Sequence, residues 1–413
     1  MALANSYGNP AGTVGTLNGL FKEVYAKELK NLIPDGVKLL KAIPFAKKDA
    51  QLGNLYHQPV ILGLEHGVTF AGATDDAFTL NDAIAGSIKD AQIQGTQLVL
   101  RSVLGLAAAS RAAGGDGKAF MAATKFLVAN MIRSVTKKLE IEMLYGQIGY
   151  ATLAATLASG NTVATIPDAQ WAPGIWAGAE GMPVTIRDSS GTSRGDSTVA
   201  SVDFAARTVT LSSAIASVVS TDIIWHKGAY GNEFAGIHKI ITNTGTLFNI
   251  SAATYALFKG NEFNASGALT FNKIQDAIAK AVEKGLENDV LVIVNPSVWA
   301  DLLNDQAALR MYDSSYKNEQ AVNGSKEIKF YGQNGMIEIV PSIYCKQGFA
   351  YIISPEEFMR VGSTDVTFNR PGKEGEFFRD MDSSAGYELR CYTDQALFCA
   401  APAKNVLITG ITT

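Results

Sequence analysis

The longest regular pattern of apolar and polar positions spans residues 116–147. Apolar side chains recur there at helical intervals, at Phe120, Leu127, Met131, Val135, Leu139 and Met143. These intervals place them on one face of a helix, which at about 1.5 Å per residue would be roughly 40 Å long. We expect Asp116 to cap the N-terminus of this helix and Gly146 to end it.

Two shorter patterns open the chain. Residues 1–20 are small and polar and predict an extended arm, whereas residues 20–32 predict a short amphipathic helix that Pro34 and Gly36 end. The apolar side of that helix carries Leu20, Phe21, Val24, Tyr25, Leu29 and Leu32.

Residues 54–110 contain two apolar extended segments, 54–62 and 96–106, on either side of a Gly- and Thr-rich middle. Such a segment cannot form much core of its own. It predicts a two-stranded projecting arm that must be buried against something else.

Residues 161–230 differ from the rest, because short β-rich runs alternate there with Gly, Ser and Asp turns. The run VASVDFAARTVTL predicts a hairpin with its turn near residues 203–207. We interpret this region as an inserted β-domain. Its tryptophans, Trp171, Trp176 and Trp225, could bind carbohydrate, but core packing is the expected role in so small a domain.

The C-terminal half alternates helices and strands. A helix over residues 271–287, capped by Thr270 or Asn272, precedes the buried strand of DVLVIV. A turn at Asn295 and Pro296 then starts a new helix that includes Trp299. The runs MIEIVPSIY and FAYIISP predict further strands, and alternating strands joined by a Pro-containing turn close the chain.

The composition excludes several classes of protein but does not identify one. The 413 residues are 47% hydrophobic and 18% charged, which is typical of an ordered globular chain, and the net charge of −4 gives no field that would attract nucleic acid. The first charge is Lys22, so we expect no secretory signal peptide. The three cysteines, Cys345, Cys391 and Cys399, are expected to be buried small hydrophobes.

No set of residues predicts an active site. The stretch RAAGGDGK at 111–118 resembles a phosphate loop, but Ala112 replaces a required glycine and Ala119 the hydroxyl that would hold Mg²⁺. Ser193 in GTSRG lies between polar segments, where a turn between strands is expected instead of a nucleophile elbow. The four histidines match no metal-ligand spacing. We therefore predict that the chain is not an enzyme and has no cofactor.

The order of these elements resembles the major capsid proteins of tailed bacteriophages, which share the Hong Kong 97 fold, an α+β fold. The resemblance lies in the arm, the projecting loop, the long helix, the segment NEFAGIHKI, the Asn-Pro turn of VLVIVNPSVWADLL and the closing strands. It implies the following domains: 1–53 N-arm, 54–113 E-loop, 114–160 peripheral domain with the spine helix, 161–235 inserted β-domain, 236–350 axial domain and 351–413 closing strands.

The resemblance implies a function in assembly. Pentamers and hexamers would form an icosahedral shell around double-stranded DNA. This shell is the virion capsid, and it would assemble in the host cytoplasm. Its implied partners are copies of the chain itself, a portal and packaged DNA without sequence-specific contact, with no membrane; the presence of a decoration protein is left open. Because no charged, coiled-coil-like scaffolding segment precedes the arm, we expect a separate scaffolding protein and no N-terminal processing.

Two groups of residues are candidates for roles in assembly. Gly114, Gly115 and Gly117 fall where the E-loop would meet the spine helix, and we interpret them as a hinge. Asn295, Pro296 and Trp299 form the turn expected in the axial domain. Some family members crosslink an E-loop lysine to an asparagine with the help of a glutamate. Lys89 and Glu388 could occupy two of these positions, but no asparagine lies near Glu388, so we predict no crosslink.

Three other interpretations remain open. A nanocompartment shell of the same fold would hold enzyme cargo in place of DNA. A β-rich adhesin or glycan-binding protein would explain residues 161–230 but not the long helix or the Asn-Pro turn. An enzyme of unknown type would have to carry a site that leaves no readable motif.

Overall fold

The computed structural model describes residues 36–46, 54–74, 76–105, 118–304, 328–369, 378–381 and 386–412, with side chains left out at 118–126 and 304. The predicted helix at 20–32, the cap at Asp116 and the hinge at Gly114, Gly115 and Gly117 lie outside these residues.

Six α-helices and several single turns of 3₁₀-helix occur in the described residues. The α-helices are α1 Leu39–Ala42, α2 Lys118–Tyr145, α3 Pro173–Trp176, α4 Ile237–Ile241, α5 Phe271–Val282 and α6 Pro296–Asn304. Helix α2 is the predicted long helix, and Thr270 is the N-cap of α5, since its side chain accepts a hydrogen bond from the Lys273 N–H.

Twenty strands occur in the described residues. They are β1 Tyr56–Gly63, β2 Ser87–Ile93, β3 Thr96–Gly105, β4 Ala151–Thr152, β5 Val163–Thr165, β6 Pro183–Arg187, β7 Ser193–Asp203, β8 Thr208–Leu211, β9 Ile223–His226, β10 Thr246–Leu247, β11 Ile250–Ser251, β12 Asn261–Gly267, β13 Val290–Val294, β14 Ile328–Gly332, β15 Gly335–Pro341, β16 Ala350–Ile353, β17 Phe358–Thr367, β18 Phe378–Asp380, β19 Gly386–Cys399 and β20 Val406–Ile411.

Six strands form a sheet in the order β12-β20-β16-β13-β15-β14. We call it the axial sheet, after the predicted axial domain to which most of its strands would belong. Its central strand β13 is apolar throughout because both of its faces are buried. Val292 and Val294 belong to the core that α5 covers, whereas Ile293 belongs to the larger core on the other face. The apolar run VLVIV therefore joins the two cores of the molecule.

The β19 sheet contains β17, β19, β18 and β3. Strand β3 pairs with β19 in a continuous antiparallel register, from Thr96 opposite Gln395 to Gly105 opposite Gly386. The prediction that segments 54–62 and 96–106 form one two-stranded arm is therefore wrong. On β3, Leu98, Leu100 and Val103 are half-buried, Leu104 is buried and Val99 is exposed, and β19 pairs one edge of the strand without help from β1.

Strand β1 pairs instead with β2, from Tyr56 opposite Ile93 to Gly63 opposite Ser87. We call residues 64–74 and 76–86, which lie between the two strands, the hairpin tip. The base of the hairpin is fixed to the molecule: Ala91 and Ile93 are buried, and the Gln92 N–H donates to the Phe248 carbonyl oxygen at 3.1 Å.

The insertion sheet has six strands in the order β4-β9-β6-β7-β8-β5, and all but β7 are short. The hairpin predicted near 203–207 is confirmed as β7 and β8, and the Asp203 carboxylate accepts hydrogen bonds from the Ala205 and Ala206 N–H groups in its turn. Strand β4 also belongs to the sheet, although it precedes residue 161. Trp171, Trp176 and Trp225 are buried, which confirms their role in the core.

Helix α2 ends where its sequence predicts. A Cβ atom at Gly146 would collide with the Phe234 carbonyl oxygen, so the chain can turn there only because this residue lacks a side chain. The predicted stripe residues Met131, Val135, Leu139 and Met143 are all buried in the larger core. The helix thus packs against β3 and β19 and shares one core with the insertion sheet.

Candidate assembly surfaces

The most exposed apolar surface of the described residues is the hairpin tip. Its large apolar side chains point into solvent, and Phe70 is 90% exposed; the others are Leu64, Val68, Phe78, Leu80 and Ile84. Hydrogen bonds within the tip hold its shape, since Asn81 bonds through its backbone N–H to Thr69 Oγ1 at 2.8 Å and through Nδ2 to the Val68 carbonyl at 2.9 Å. A concentrated apolar surface of this kind is typical of an interaction site.

An ion-pair cluster lies on the β19 sheet, where β3 pairs with β19. The Glu388 carboxylate is buried, pairs with Arg101 Nε at 2.8 Å and also accepts a hydrogen bond from Arg390 Nε. Burial alone would raise the pKa of Glu388, but Arg390 and Arg101 outweigh it and hold the pKa below its usual value. Lys89 is exposed on β2, which belongs to a different sheet. The absence of a crosslink stays a prediction.

Residues 36–46, which we call the strap, run along the end of α2. The Glu140 carboxylate on α2 is fully buried and accepts hydrogen bonds from the backbone N–H groups of Lys38 at 2.7 Å, Leu39 at 2.7 Å and Leu40 at 3.0 Å. Burial raises the pKa of Glu140, although these three N–H groups oppose the shift. The carboxylate thus caps the single turn of α1 from another element.

A buried arginine holds the other end of the strap. Arg360 Nε donates to the Ile43 carbonyl oxygen at 3.0 Å, and its Nη1 donates to Gln395 Oε1 at 2.9 Å. Its backbone carbonyl accepts from the Ala46 N–H at 2.7 Å. Sequence reasoning missed both anchors, because Glu140 lies inside a helical pattern and Arg360 inside a strand, and nothing in the sequence marks either as a long-range partner.

The predicted turn at Asn295 and Pro296 is present, and its contacts are internal. Asn295 is buried; its Nδ2 donates to the Cys345 carbonyl oxygen at 2.7 Å, and its Oδ1 accepts from the Ser297 N–H at 3.0 Å. Pro296 is the first residue of α6, and half-buried Trp299 packs against the core beneath α5. These contacts account for the turn as the start of a helix; its role in assembly stays a prediction.

Buried ionisable groups join α2 to the loop before α4. Lys138 Nζ lies 4.5 Å from the centre of the Tyr150 ring, and the Glu142 carboxylate accepts from the Phe234 N–H at 3.0 Å. Burial lowers the pKa of Lys138 to about 7 and raises that of Glu142 to about 8. Each group faces a nearby Glu233, so the charges form one coupled network.

The structure brings no catalytic set together in the part of the chain that it describes. Ser193 begins β7 directly after the turn from β6, as the sequence predicts. Within the described ranges, no group of three or more His, Cys, Asp or Glu side chains could hold a metal ion. The described helices include none with the length and hydropathy of a membrane span. The three cysteines are buried and unpaired, which confirms the prediction.

Comparison with known proteins gives a fold but no sequence family. No family model and no curated protein matches the chain. Among solved structures, a chain of the cyanophage A-1(L) capsid asymmetric unit is 11% identical with a TM-score of 0.56, over 96% of this chain and 98% of that chain. The capsid of the native GTA particle is 7% identical with a TM-score of 0.52, over 95% of this chain and 96% of that one.

The chain therefore has the fold of phage-type capsid proteins. The fold class that the sequence resemblance implies is confirmed over nearly the whole length of the chain. The division into N-arm, E-loop, peripheral, inserted and axial domains stays a prediction.

Proposed function

We propose that this chain is a major capsid protein that assembles as pentamers and hexamers into an icosahedral shell around packaged double-stranded DNA. The observation that carries the proposal is the agreement in fold with a cyanophage capsid chain over 96% of this chain and 98% of that one. The match extends over nearly the whole of both chains, so the proposal is supported by the complete fold and not by one shared domain. The role is structural, and no catalysis is required of it.

The hairpin tip supports the same proposal from physical chemistry. Burying apolar surface contributes about 25 cal/mol for each Å², so a chain that leaves Phe70, Leu64 and Leu80 in solvent forgoes several kcal/mol as a monomer. A neighbouring subunit that covers the tip would recover this free energy. Repeated around closed symmetry, contacts of this kind add up to a stable particle.

The proposed partners follow from the same function. A separate scaffolding protein would direct closure, a portal would occupy one vertex, and a decoration protein could cover the outside. The net charge of −4 agrees with a lining that does not bind DNA tightly, since a strongly basic lining would hinder its movement. Assembly would take place in the host cytoplasm and the product would be the virion capsid.

Electron microscopy of the expressed chain tests the proposal. We expect negative-stain images of the chain, produced with the scaffolding protein of the same phage, to show closed shells of uniform diameter. Chains that stay monomeric in the presence of the scaffolding protein would contradict the proposal. Shells from infected cells should contain DNA that resists nuclease, whereas shells filled with an enzyme and free of DNA would show a nanocompartment.

A further inference from the structure

A cavity of about 600 Å³ lies between the strap and the axial sheet. Its apolar lining includes Leu291, Met336 and Val340, which are all half-buried, and its strap side includes the exposed Lys38 and Lys41. We call this cavity the strap groove. Its volume is in the range of sites that bind a ligand or a few large side chains.

The charged side chains that line the strap groove differ in whether they have a partner among the described residues. On the sheet side, Asp289 Oδ1 accepts from the Met336 N–H at 2.8 Å, and Glu338 lies 3.6 Å from Lys329 Nζ. Lys38 and Lys41 form no ion pair with any carboxylate in the described ranges. Lys41 is close enough to influence Glu140, but that carboxylate is buried and already holds three N–H groups. The groove therefore presents an apolar floor beside two ammonium groups.

The sequence just before the strap has the complementary pattern. Residues 20–32 predict an amphipathic helix, and on that helix Glu28 falls inside the apolar stripe, one turn after Val24 and one turn before Leu32. A carboxylate in the centre of an apolar stripe is costly to bury unless a cation meets it. Glu23 lies on the opposite, polar side of the same helix.

The length of the chain limits where this segment can lie. Only residues 33–35 separate Leu32 from Gly36, where the described strap begins, so Leu32 lies within about 14 Å of Gly36 even if they are fully extended. Pro34 prevents the helix from continuing into the strap. The strap groove starts at Lys38, directly beside this connection.

We propose that residues 20–32 of the same chain occupy the strap groove, with their apolar stripe on the axial-sheet floor and Glu28 paired with the ammonium groups of Lys38 and Lys41. This contact would fix the direction in which residues 1–19 leave the subunit. It is a contact within one chain, so it does not depend on the proposed shell.

Disulfide crosslinking tests the position of the segment. In the test variant, Val24→Cys with Met336→Cys, we expect mild oxidation to link most chains internally, as shown by peptide mass spectrometry of the unassembled protein. The native cysteines do not interfere, because all three are buried. The control is Val24→Cys with Tyr331→Cys, which puts the second thiol on the same β14–β15 hairpin at a side chain that is 81% exposed and does not line the groove.

Two outcomes would overturn the proposal. One is equal linking in the control and test variants. The other is linking between chains, detected by mixing an isotope-labelled Val24→Cys chain with an unlabelled Met336→Cys chain. Shell formation is read separately by microscopy, so a chain that crosslinks as expected but forms no shell would contradict the proposed function alone.

A charge reversal tests the pairing. We expect Glu28→Lys to slow crosslinking of the test variant at least tenfold, and Lys38→Glu with Lys41→Glu to restore most of the rate in that background. Glu23→Lys makes the same charge change on the opposite side of the helix and should leave the rate unchanged. Equal rates for Glu28→Lys and Glu23→Lys would disprove the assigned pairing.

Discussion

A single carboxylate, Glu140, fixes the first half of the strap, while Arg360 holds its other end. It is fully buried on α2, yet its two oxygens face three backbone N–H groups of a segment about 100 positions away in sequence. Backbone N–H groups at a helix start need acceptors, and a carboxylate is the strongest acceptor that a side chain offers. Glu140 therefore links the first described segment of the chain to the long helix.

We expect Glu140→Gln to lower the free energy of unfolding by about 3 kcal/mol. The amide keeps one acceptor oxygen but turns an NH₂ group toward backbone donors, so at least one buried N–H loses its partner. Chemical denaturation monitored by tryptophan fluorescence would measure the change. Glu283→Gln, at an exposed position after α5, is the control and should change stability by less than about 0.5 kcal/mol.

His238 makes stability depend on pH. Its Nδ1 shares a 2.9 Å hydrogen bond with the Tyr351 hydroxyl, and burial, together with the nearby Lys346 ammonium, lowers its pKa to about 3. An unfolded histidine takes up a proton near pH 6.5. Between pH 6.5 and 3 the unfolded state therefore binds a proton that the folded state does not bind, and the free energy of unfolding decreases as the pH falls.

In His238→Gln, we expect the loss of unfolding free energy between pH 6.5 and 4 to be smaller than in the wild type by about 3 kcal/mol. His226, whose pKa is lowered to about 4 by burial, is kept, so some dependence remains. Denaturation curves at half-unit steps would show the difference. At pH 8 the side chain at position 238 is neutral in both proteins, so the difference in their unfolding free energies there measures the lost contacts alone. The prediction would be contradicted if the unfolding free energies of the two proteins fell in parallel from pH 8 to 4.

At the scale of elements, the hairpin shows where pattern reasoning fails. The apolar segments 54–62 and 96–106 are the natural pair by composition, but the partner of β1 is the more polar β2, SIKDAQI. Cross-strand pairing depends on which backbone lies alongside, and the sequence of β3 fits the half-buried β19 sheet equally well. Apolar content alone does not distinguish a hairpin strand from a sheet strand.

The hairpin tip should be dispensable for folding and necessary for assembly. We expect Phe70→Asp with Leu80→Asp to leave the melting temperature of the monomer within about 2 °C, because both side chains are already exposed. The yield of shells should fall at least tenfold, since each buried contact would now hold a carboxylate. Sedimentation of assembled particles measures the yield.

The matched control is Thr79→Asp, which adds a charge to the same tip without removing an apolar side chain. It should assemble nearly as well as the wild type. Wild-type yield in the double variant would mean that the tip is not buried between subunits.

At the scale of the whole molecule, the sequence predicts local elements better than their partners. The long helix, its stop at Gly146, the cap at Thr270 and the Asn295 turn each depend on a few neighbouring residues, and all are present. The strap anchors and the β3–β19 pairing depend on residues far apart in sequence, for which a single sequence holds no signal. The strap groove lies between two such distant segments, so it could be found only in the structure.

The β3–β19 pairing also has a consequence for synthesis on the ribosome. Thr96 and Gln395 are 299 positions apart, so at about 5–20 residues per second strand β3 waits on the order of 15–60 s for its partner β19. During that time its edge is open and its apolar face is bare. A translation product truncated before β19 would lack this partner, and β3, which directly follows the hairpin, would stay unpaired along that edge.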